Sequence, residues 1–168
     1  MIRHIEKLRQ DHAVGAFDCG HHALNRSLHQ YALVNQVSGS STTYVGVSDQ
    51  TVIGYYSLAV GSVEYEEAPA RITQGLAHHP VPIALLAQLA VDQQWQNRGV
   101  GKGLLRDAML RTLHAADILG IRAMMVHAKD EGVKGFSQHF NFIPSPSDPL
   151  QLMMILNDVR QIVQETAH

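Results

Sequence analysis

The chain has 168 residues, of which 45% are hydrophobic and 17% are charged, and its formal net charge is −2. These values are typical of a soluble domain with its own core, and the bulk charge gives no support to nucleic-acid binding. No apolar run approaches the roughly 20 residues of a membrane span. The single cysteine, Cys19, excludes an internal disulfide and a cysteine-based zinc site. We therefore expect a cytoplasmic protein that does not bind a membrane and has no metal centre.

The chain begins with a candidate strand and a candidate helix. Residues 2–8 are predicted to form the first strand. After a polar link, Asp18 is expected to cap a helix, because a short acidic side chain can accept the free N–H groups of a first turn. Side chains spaced three and four apart from Leu24 to Asn35 predict the helix itself, which ends near Gly39.

A hairpin and an excursion follow. Residues 42–47 and Thr51–Val63 are rich in Val, Ile, Thr and Tyr, which favours two strands, and the tight turn at residues 49–50 joins them. Residues 64–82 hold glutamates, prolines and a histidine pair without partners at metal-ligand spacing. We predict that this segment is a surface excursion within one domain.

The middle of the chain carries the clearest functional signal. Residues 83–91 are almost continuously apolar, as in a buried central strand, and residues 101–119 predict an amphipathic helix. Gly99, Gly101 and Gly103 fall on alternate residues of the intervening turn. This pattern is expected to bare successive backbone N–H groups at a helix N-terminus, where an anionic phosphate group binds well.

The remaining elements complete the domain. Gly120 is predicted to close the helix. His127, in a buried strand over residues 121–128, is expected to be a hydrogen-bonded core histidine. Further along, the sequence predicts a helix over 130–140, a strand from 141, a loop over 145–149, a strand over 150–156 and a helix over 158–166. This order indicates a single α/β domain, residues 1–168, with a mixed sheet.

The spacing of the turn separates it from two other glycine-rich loops. Phosphate-loop NTPases require Ser or Thr after the Gly-Lys pair, whereas Gly103 follows Lys102 here. The dinucleotide fingerprint requires a later third glycine in a first βα unit. What remains is a Gln-x-x-Gly-x-Gly turn that begins at Gln96, or a tight turn without a ligand.

A Gln-x-x-Gly-x-Gly turn after a central strand resembles motif A of the GNAT acetyltransferases. The resemblance implies the GNAT fold, a mixed and mostly antiparallel central sheet flanked by helices, with a splayed central strand pair. It also implies that backbone amides of the loop hold the pyrophosphate of acetyl-CoA and that an exposed strand edge pairs with the pantetheine arm. The residues implied in binding acetyl-CoA are Leu89, Ala90, Val91, Gln96, Asn97, Arg98, Gly99, Val100, Gly101, Lys102, Gly103 and Phe136.

Short motifs over almost the whole chain resemble the GNAT toxins of bacterial toxin–antitoxin pairs. They are Phe17-Asp18-Cys19-Gly20, Ala23-Leu24-Asn25, Asn35-Gln36, Ser38-Gly39, Gly54-Tyr55-Tyr56-Ser57-Leu58, Leu89-Ala90-Val91-Asp92, Val126-His127-Ala128 and Pro144-Ser145-Pro146. The resemblance implies acetylation of the α-amine of aminoacyl-tRNA, which blocks translation. The implied partners are a ribbon-helix-helix antitoxin, operator DNA only through the complex with that antitoxin, and a second copy in a homodimer. Two alternatives stay open: a GNAT acting on a small amine or a protein N-terminus, and a CoA- and antitoxin-binding module with little or no turnover.

The implied chemistry is direct transfer in a ternary complex, which requires an oxyanion donor and a proton donor for the leaving thiolate. The backbone N–H near Leu89 is the candidate oxyanion donor. The toxins carry a tyrosine as the acid, but Ser137 stands at that position here. Three possibilities follow: Ser137 orients a water molecule, another group such as His139, Tyr55 or Tyr56 replaces it, or the protein is weakly active or inactive.

Overall fold

The structure is a computed structural model that describes residues 4–127 and 140–166. Its strands form a seven-stranded sheet in the order β1-β2-β3-β4-β5-β7-β6. The strands are β1 (His4–Lys7), β2 (Thr42–Ser48), β3 (Thr51–Val63), β4 (Val81–Val91), β5 (Ala123–His127), β6 (Ile143–Pro144) and β7 (Gln151–Ile155). The helices are α1 (His22–Arg26), α2 (Ala32–Ser38), α3 (Ala70–Thr73), α4 (Val100–Ala116) and α5 (Leu156–Glu165). A π-helical segment (Ser27–Tyr31) joins α1 to α2, and 3₁₀ turns lie at Tyr65–Glu67 and Gln93–Trp95.

The sheet is mixed and mostly antiparallel, as predicted. Strand β2 pairs antiparallel with β1 and with β3, and β7 pairs antiparallel with β5 and with β6. Strands β4 and β5 are parallel. The predicted hairpin is confirmed, with Asp49 and Gln50 both at positive φ in its turn, as a two-residue hairpin connection requires.

The chain groups into two compact units, which are Met1–Ala59 with Ala87–Ala108, and Val60–Leu86 with Met109–His168. In the first unit, helices cover both faces of β3. Successive residues of a strand point to opposite faces, so the neighbours Gly54 and Tyr55 face different helices. Tyr55 faces α1, where its hydroxyl donates to the Leu24 carbonyl at 2.7 Å. Gly54 faces α4, and a Cβ atom at this position would lie 2.8 Å from Leu104 Cδ1. The missing side chain therefore lets α4 pack closely on the sheet.

The core of the second unit includes part of the segment that was predicted to be a surface excursion. Its members are apolar side chains from the end of β3, the connection to β4, and strands β4, β5 and β7: Val63, Ala68, Ile72, Val81, Ile83, Ala123, Met125 and Met153. Ile72 is completely buried. The prediction of a surface excursion was therefore wrong for this part, because the glutamates and prolines around these residues concealed a short helix that buries Ile72 and Thr73.

Three local predictions were also wrong. His21, not Asp18, is the N-cap residue of α1. Helix α4 ends at Ala116, and Gly120 lies beyond it without the positive φ of a glycine cap. His127 is exposed at the last position of β5, where the strand leaves the core. The helix predicted over residues 130–140 lies outside the described residues except for its last position.

A polar cluster at β1 fixes the ionisation of Glu6. His12 Nδ1 accepts the Arg9 backbone N–H at 2.8 Å, so His12 Nε2 carries the hydrogen that it donates to Glu6 Oε1 at 2.6 Å. The Arg9 guanidinium lies 3.1 Å from the other carboxylate oxygen. These hydrogen bonds, that of His12 first, lower the pKa of Glu6 to about 2.

Among the residues that the structure describes, no helix is both long enough and apolar enough to cross a membrane.

Candidate active site

The turn between β4 and α4 has the backbone geometry of an anion site. Asp92 Oδ1 accepts the Gln94 N–H at 3.0 Å and so starts the 3₁₀ turn. Asn97 and Gly99 then adopt positive φ values of 64° and 84°. The Gly103 N–H donates to the Gly99 carbonyl at 3.1 Å, at the start of the helix. Of the three alternating glycines, Gly99 alone has a left-handed backbone conformation, which favours glycine because it has no side chain.

The first turn of α4 supplies donors for a phosphate group. The N–H groups of Val100, Gly101 and Lys102 have no carbonyl partner within the helix, and they lie at its positive end. Lys102 and Arg98 are exposed beside them. The Arg98 guanidinium stacks 5.0 Å from the centre of the Trp95 ring, which orients its charge. This set of donors fits a diphosphate.

The Gln96 side chain, which was predicted to bind acetyl-CoA, is instead bonded to the main chain. Its Nε2 donates to the Cys19 carbonyl at 3.0 Å and to the Val91 carbonyl at 2.9 Å. Both amide hydrogens are thus committed to main-chain carbonyls, and Gln96 braces the loop rather than donating to a ligand.

A second set of bonds ties the same loop to the segment before α1. Asp92 Oδ2 accepts the Asp18 backbone N–H at 3.1 Å, and the Gln93 N–H donates to the Asp18 carbonyl at 2.9 Å. The Asp18 carboxylate accepts from the Gly20 N–H and from Asn25 Nδ2. Asp18 therefore connects the loop to the segment that begins α1. The sequence could not distinguish this role from that of a helix cap.

The end of β4 presents backbone groups at an edge. The Asp92 N–H donates to the Ile53 carbonyl of β3 at 2.8 Å, so the Val91 carbonyl in the same trans peptide points away from β3. Because both backbone groups of one strand residue face the same edge, those of Leu89 also point away from β3. The described pairing of β4 with β5 ends at Leu86 and Val126, five residues before β4 ends.

The three strand residues that were predicted to bind acetyl-CoA differ in the direction of their backbone groups. Leu89 and Val91 face the outer edge, although the Val91 carbonyl also accepts from Gln96. Ala90 faces β3 with its backbone groups, and its side chain is buried in the core of the first unit. The structure therefore argues against a backbone contact from Ala90.

The two tyrosines considered as proton donors are completely buried. Tyr56 donates its hydroxyl to Asp107 Oδ2 at 2.5 Å, and its ring stacks on Tyr44. Burial raises the pKa of Tyr55 above its ordinary value, and its hydroxyl is bonded to Leu24. Neither tyrosine offers a free acid, so the structure argues against Tyr56 as the proton donor. Phe136, Ser137 and His139 lie outside the described residues, and their predicted parts stay predictions.

One polar contact near this edge was not foreseen. Gln88 lies in β4, and its Nε2 donates to Ser27 Oγ in the π-helical segment at 2.6 Å. The available signal was a single glutamine inside an apolar strand, Ala84-Leu85-Leu86-Ala87-Gln88-Leu89-Ala90. A polar amide within an apolar strand is expected to have a hydrogen-bond partner or a function.

Within residues 4–127 and 140–166, no group of three or more His, Cys, Asp or Glu side chains could hold a metal ion.

Comparison with known proteins places the chain in a family. Residues 5–142 match the profile of the acetyltransferase (GNAT) family. The chain is 43% identical over 150 residues to the "tRNA-acetylating toxin" of Mycobacterium tuberculosis, an alignment that covers 89% of this chain and 90% of that protein. The chain therefore belongs to the GNAT acetyltransferases, and the predicted fold and enzyme class are confirmed.

Two solved structures show the same architecture. One is AtaT complexed with acetyl-methionyl-tRNAfMet, with a TM-score of 0.86 and 25% identity over 95% of this chain and 98% of that chain. The other is a mutant of the AtaT toxin bound to the C-terminus of the antitoxin AtaR and to acetyl-CoA. Its TM-score is 0.79, with 25% identity over 95% of this chain and 96% of that chain.

Proposed function

We propose that this protein is an acetyl-CoA-dependent N-acetyltransferase that acetylates the α-amine of aminoacyl-tRNA and acts as the toxin of a toxin–antitoxin pair. The observation that carries the proposal is the 43% identity, over 89% of the chain, to a relative named tRNA-acetylating toxin. The geometry at the end of β4 supports the same chemistry.

In this proposal the turn after β4 holds the co-substrate. The N–H groups of Val100, Gly101 and Lys102 bind the diphosphate, and Arg98 and Lys102 add positive charge. The outward carbonyl of Leu89 and the Val91 N–H pair with the pantetheine arm as an added strand would, and the Leu89 N–H is left for the thioester. The thioester carbonyl then lies at this strand edge.

The reaction needs little more from the protein than position and electrostatics. A neutral amine forms a bond to the thioester carbon, the C–S bond breaks, and the nitrogen loses a proton to solvent. The Leu89 N–H stabilises the negative charge that develops on the carbonyl oxygen. The amine needs no strong base, since an α-amine has a pKa near ~7.7–8.0 and the ester lowers it further.

The departing thiolate takes a proton from a donor, for which Ser137 with a bound water molecule and His139 are the candidates that the sequence offers. A missing proton donor lowers a rate by roughly 10²–10⁴-fold, so a water held by Ser137 still permits turnover. In the same proposal the whole chain acts as one domain and forms a homodimer. It is bound by a ribbon-helix-helix antitoxin, which carries the complex to operator DNA.

The test is transfer of labelled acetyl groups from acetyl-CoA to total charged tRNA. The matched control is the same tRNA after its aminoacyl ester has been hydrolysed. We expect label only in the charged sample, and no label on the protein when the acceptor is omitted. Label in small amines or peptide N-termini but not in tRNA would overturn the proposed acceptor.

A second candidate is favoured by Ser137, which stands where the toxins carry tyrosine. The protein would then bind CoA and an antitoxin with little turnover. Ser137→Tyr distinguishes the two, because it raises a near-zero rate strongly under this candidate. An unchanged rate would show that another group is the acid.

A further inference from the structure

Gln88 lies beside the proposed reacting edge, and one hydrogen bond fixes the direction of its amide. Its Nε2 donates to Ser27 Oγ in the π-helical segment at 2.6 Å. The nitrogen end of the amide is therefore committed to this bond.

The other polar atom of the Gln88 amide is its carboxamide oxygen. Within the described residues it makes no hydrogen bond, and Gln88 is only partly buried. The side chain shares the inner face of β4 with Ala90, toward α1. It follows that a carbonyl acceptor is presented on that face, one residue from the outward N–H of Leu89.

The backbone around this acceptor is unusual. Ser27 opens the π-helical segment Ser27–Tyr31, and Gln88 is continuous with the strand that ends in the loop after β4. Such π-helical turns occur frequently at functional sites. One end of the Gln88 amide is thus held by the half-buried Ser27 hydroxyl, and the oxygen at its other end can accept a hydrogen bond.

We propose that the Gln88 carboxamide oxygen accepts a hydrogen bond from the attacking amine and orients its lone pair toward the thioester carbonyl at Leu89. Gln88 takes no proton, because an amide is not a base at neutral pH. As the nitrogen gains positive charge, its remaining N–H becomes a stronger donor, so this bond strengthens in the transition state. This inference rests on the proposed N-acetyltransferase activity and assigns the residue that positions the acceptor amine.

The test compares Gln88→Met, which removes the acceptor at nearly constant volume, with Gln88→Glu, which retains one. For Gln88→Met we expect kcat/KM for charged tRNA to fall about 10- to 100-fold, the worth of a charge-assisted bond, with an unchanged Kd for acetyl-CoA. Gln88→Glu should keep more activity and add a limb to the pH profile as its carboxyl group titrates. Ser27→Ala, which only frees the amide to rotate, should lose about 2- to 10-fold. Gln164→Met on α5 is the matched exposed control.

Wild-type kcat/KM in Gln88→Met would overturn the inference. If Gln88→Met also melts early or binds acetyl-CoA weakly, the comparison with Gln88→Glu decides. Equal losses in both variants contradict an acceptor role, whereas a smaller loss and a new pH limb in Gln88→Glu support it. If the wild-type protein leaves charged tRNA unlabelled, the proposed acceptor fails separately, and the variants are compared on the amine that the wild-type protein does acetylate.

Discussion

Replacement of Gly99 by alanine tests whether the loop after β4 is preorganised for its ligand. Gly99 has φ 84°, and a Cβ atom there would meet nothing within 4 Å. The substitution therefore causes no clash, and its whole effect is left-handed strain of about 1–2 kcal/mol. If the loop relaxes when it is empty, ligand binding must restore the strain, and Kd for acetyl-CoA rises about 5- to 30-fold. If the loop does not relax, the free energy of unfolding falls by the same amount, and Tm falls by about 2–8 °C.

The matched control is Gly39→Ala. Gly39 has φ 85° and equally open surroundings, but it ends α2. We expect it to lower Tm while the Kd for acetyl-CoA, measured by titration calorimetry, stays at the wild-type value. The reasoning is refuted if Gly99→Ala matches the wild type in both Tm and Kd, or if Gly39→Ala weakens binding equally.

Three further predictions concern the scaffold and its charges. Gly54→Ala should destabilise the protein by about 1–3 kcal/mol in urea titration, because its Cβ would lie 2.8 Å from Leu104 Cδ1; an unchanged midpoint would show that α4 does not need the close approach. Tyr56→Phe removes the buried hydrogen bond from Tyr56 to Asp107 and should lower stability by about 1–3 kcal/mol, with kcat unchanged; a loss of kcat of roughly 10²-fold or more would restore Tyr56 as the acid. The depressed pKa of Glu6, about 2, contributes stability that is present above the unfolded pKa and is lost as the pH falls through 2. Thermal melts of Glu6→Gln should therefore be flatter than those of the wild type between about pH 4.5 and pH 2, and parallel curves would contradict this.

Local composition predicted the elements whose residue types favour one secondary structure. Strand β3 was predicted with the bounds that the structure has, Thr51–Val63, because a run rich in Val, Ile and Tyr favours a strand, here one with six consecutive buried residues. The fold class and the loop after β4 followed from the glycines around Gly99 and from the resemblance to GNAT proteins. These features depend on neighbours in the chain, which a sequence displays directly.

Contacts between distant residues could not be predicted in this way. Asp18 looks like a helix cap because its partner, Asp92, is 74 residues away. Tyr56 was considered as a proton donor because nothing near it in the sequence indicates that its hydroxyl is bonded to Asp107. The Gln96 brace and the bond from Gln88 to Ser27 likewise depend on tertiary packing, and these are the contacts that shape the site.

Acetylation of the α-amine of aminoacyl-tRNA is the activity that we propose for this protein. The most direct measurement is mass spectrometry of the 3′-terminal aminoacyl-adenosine released by nuclease after incubation of charged tRNA with the protein and acetyl-CoA. We predict one added acetyl group, located on the α-nitrogen, and none when the amine has been blocked beforehand. Unmodified aminoacyl-adenosine, from a protein that binds acetyl-CoA and acetylates another amine, would contradict it.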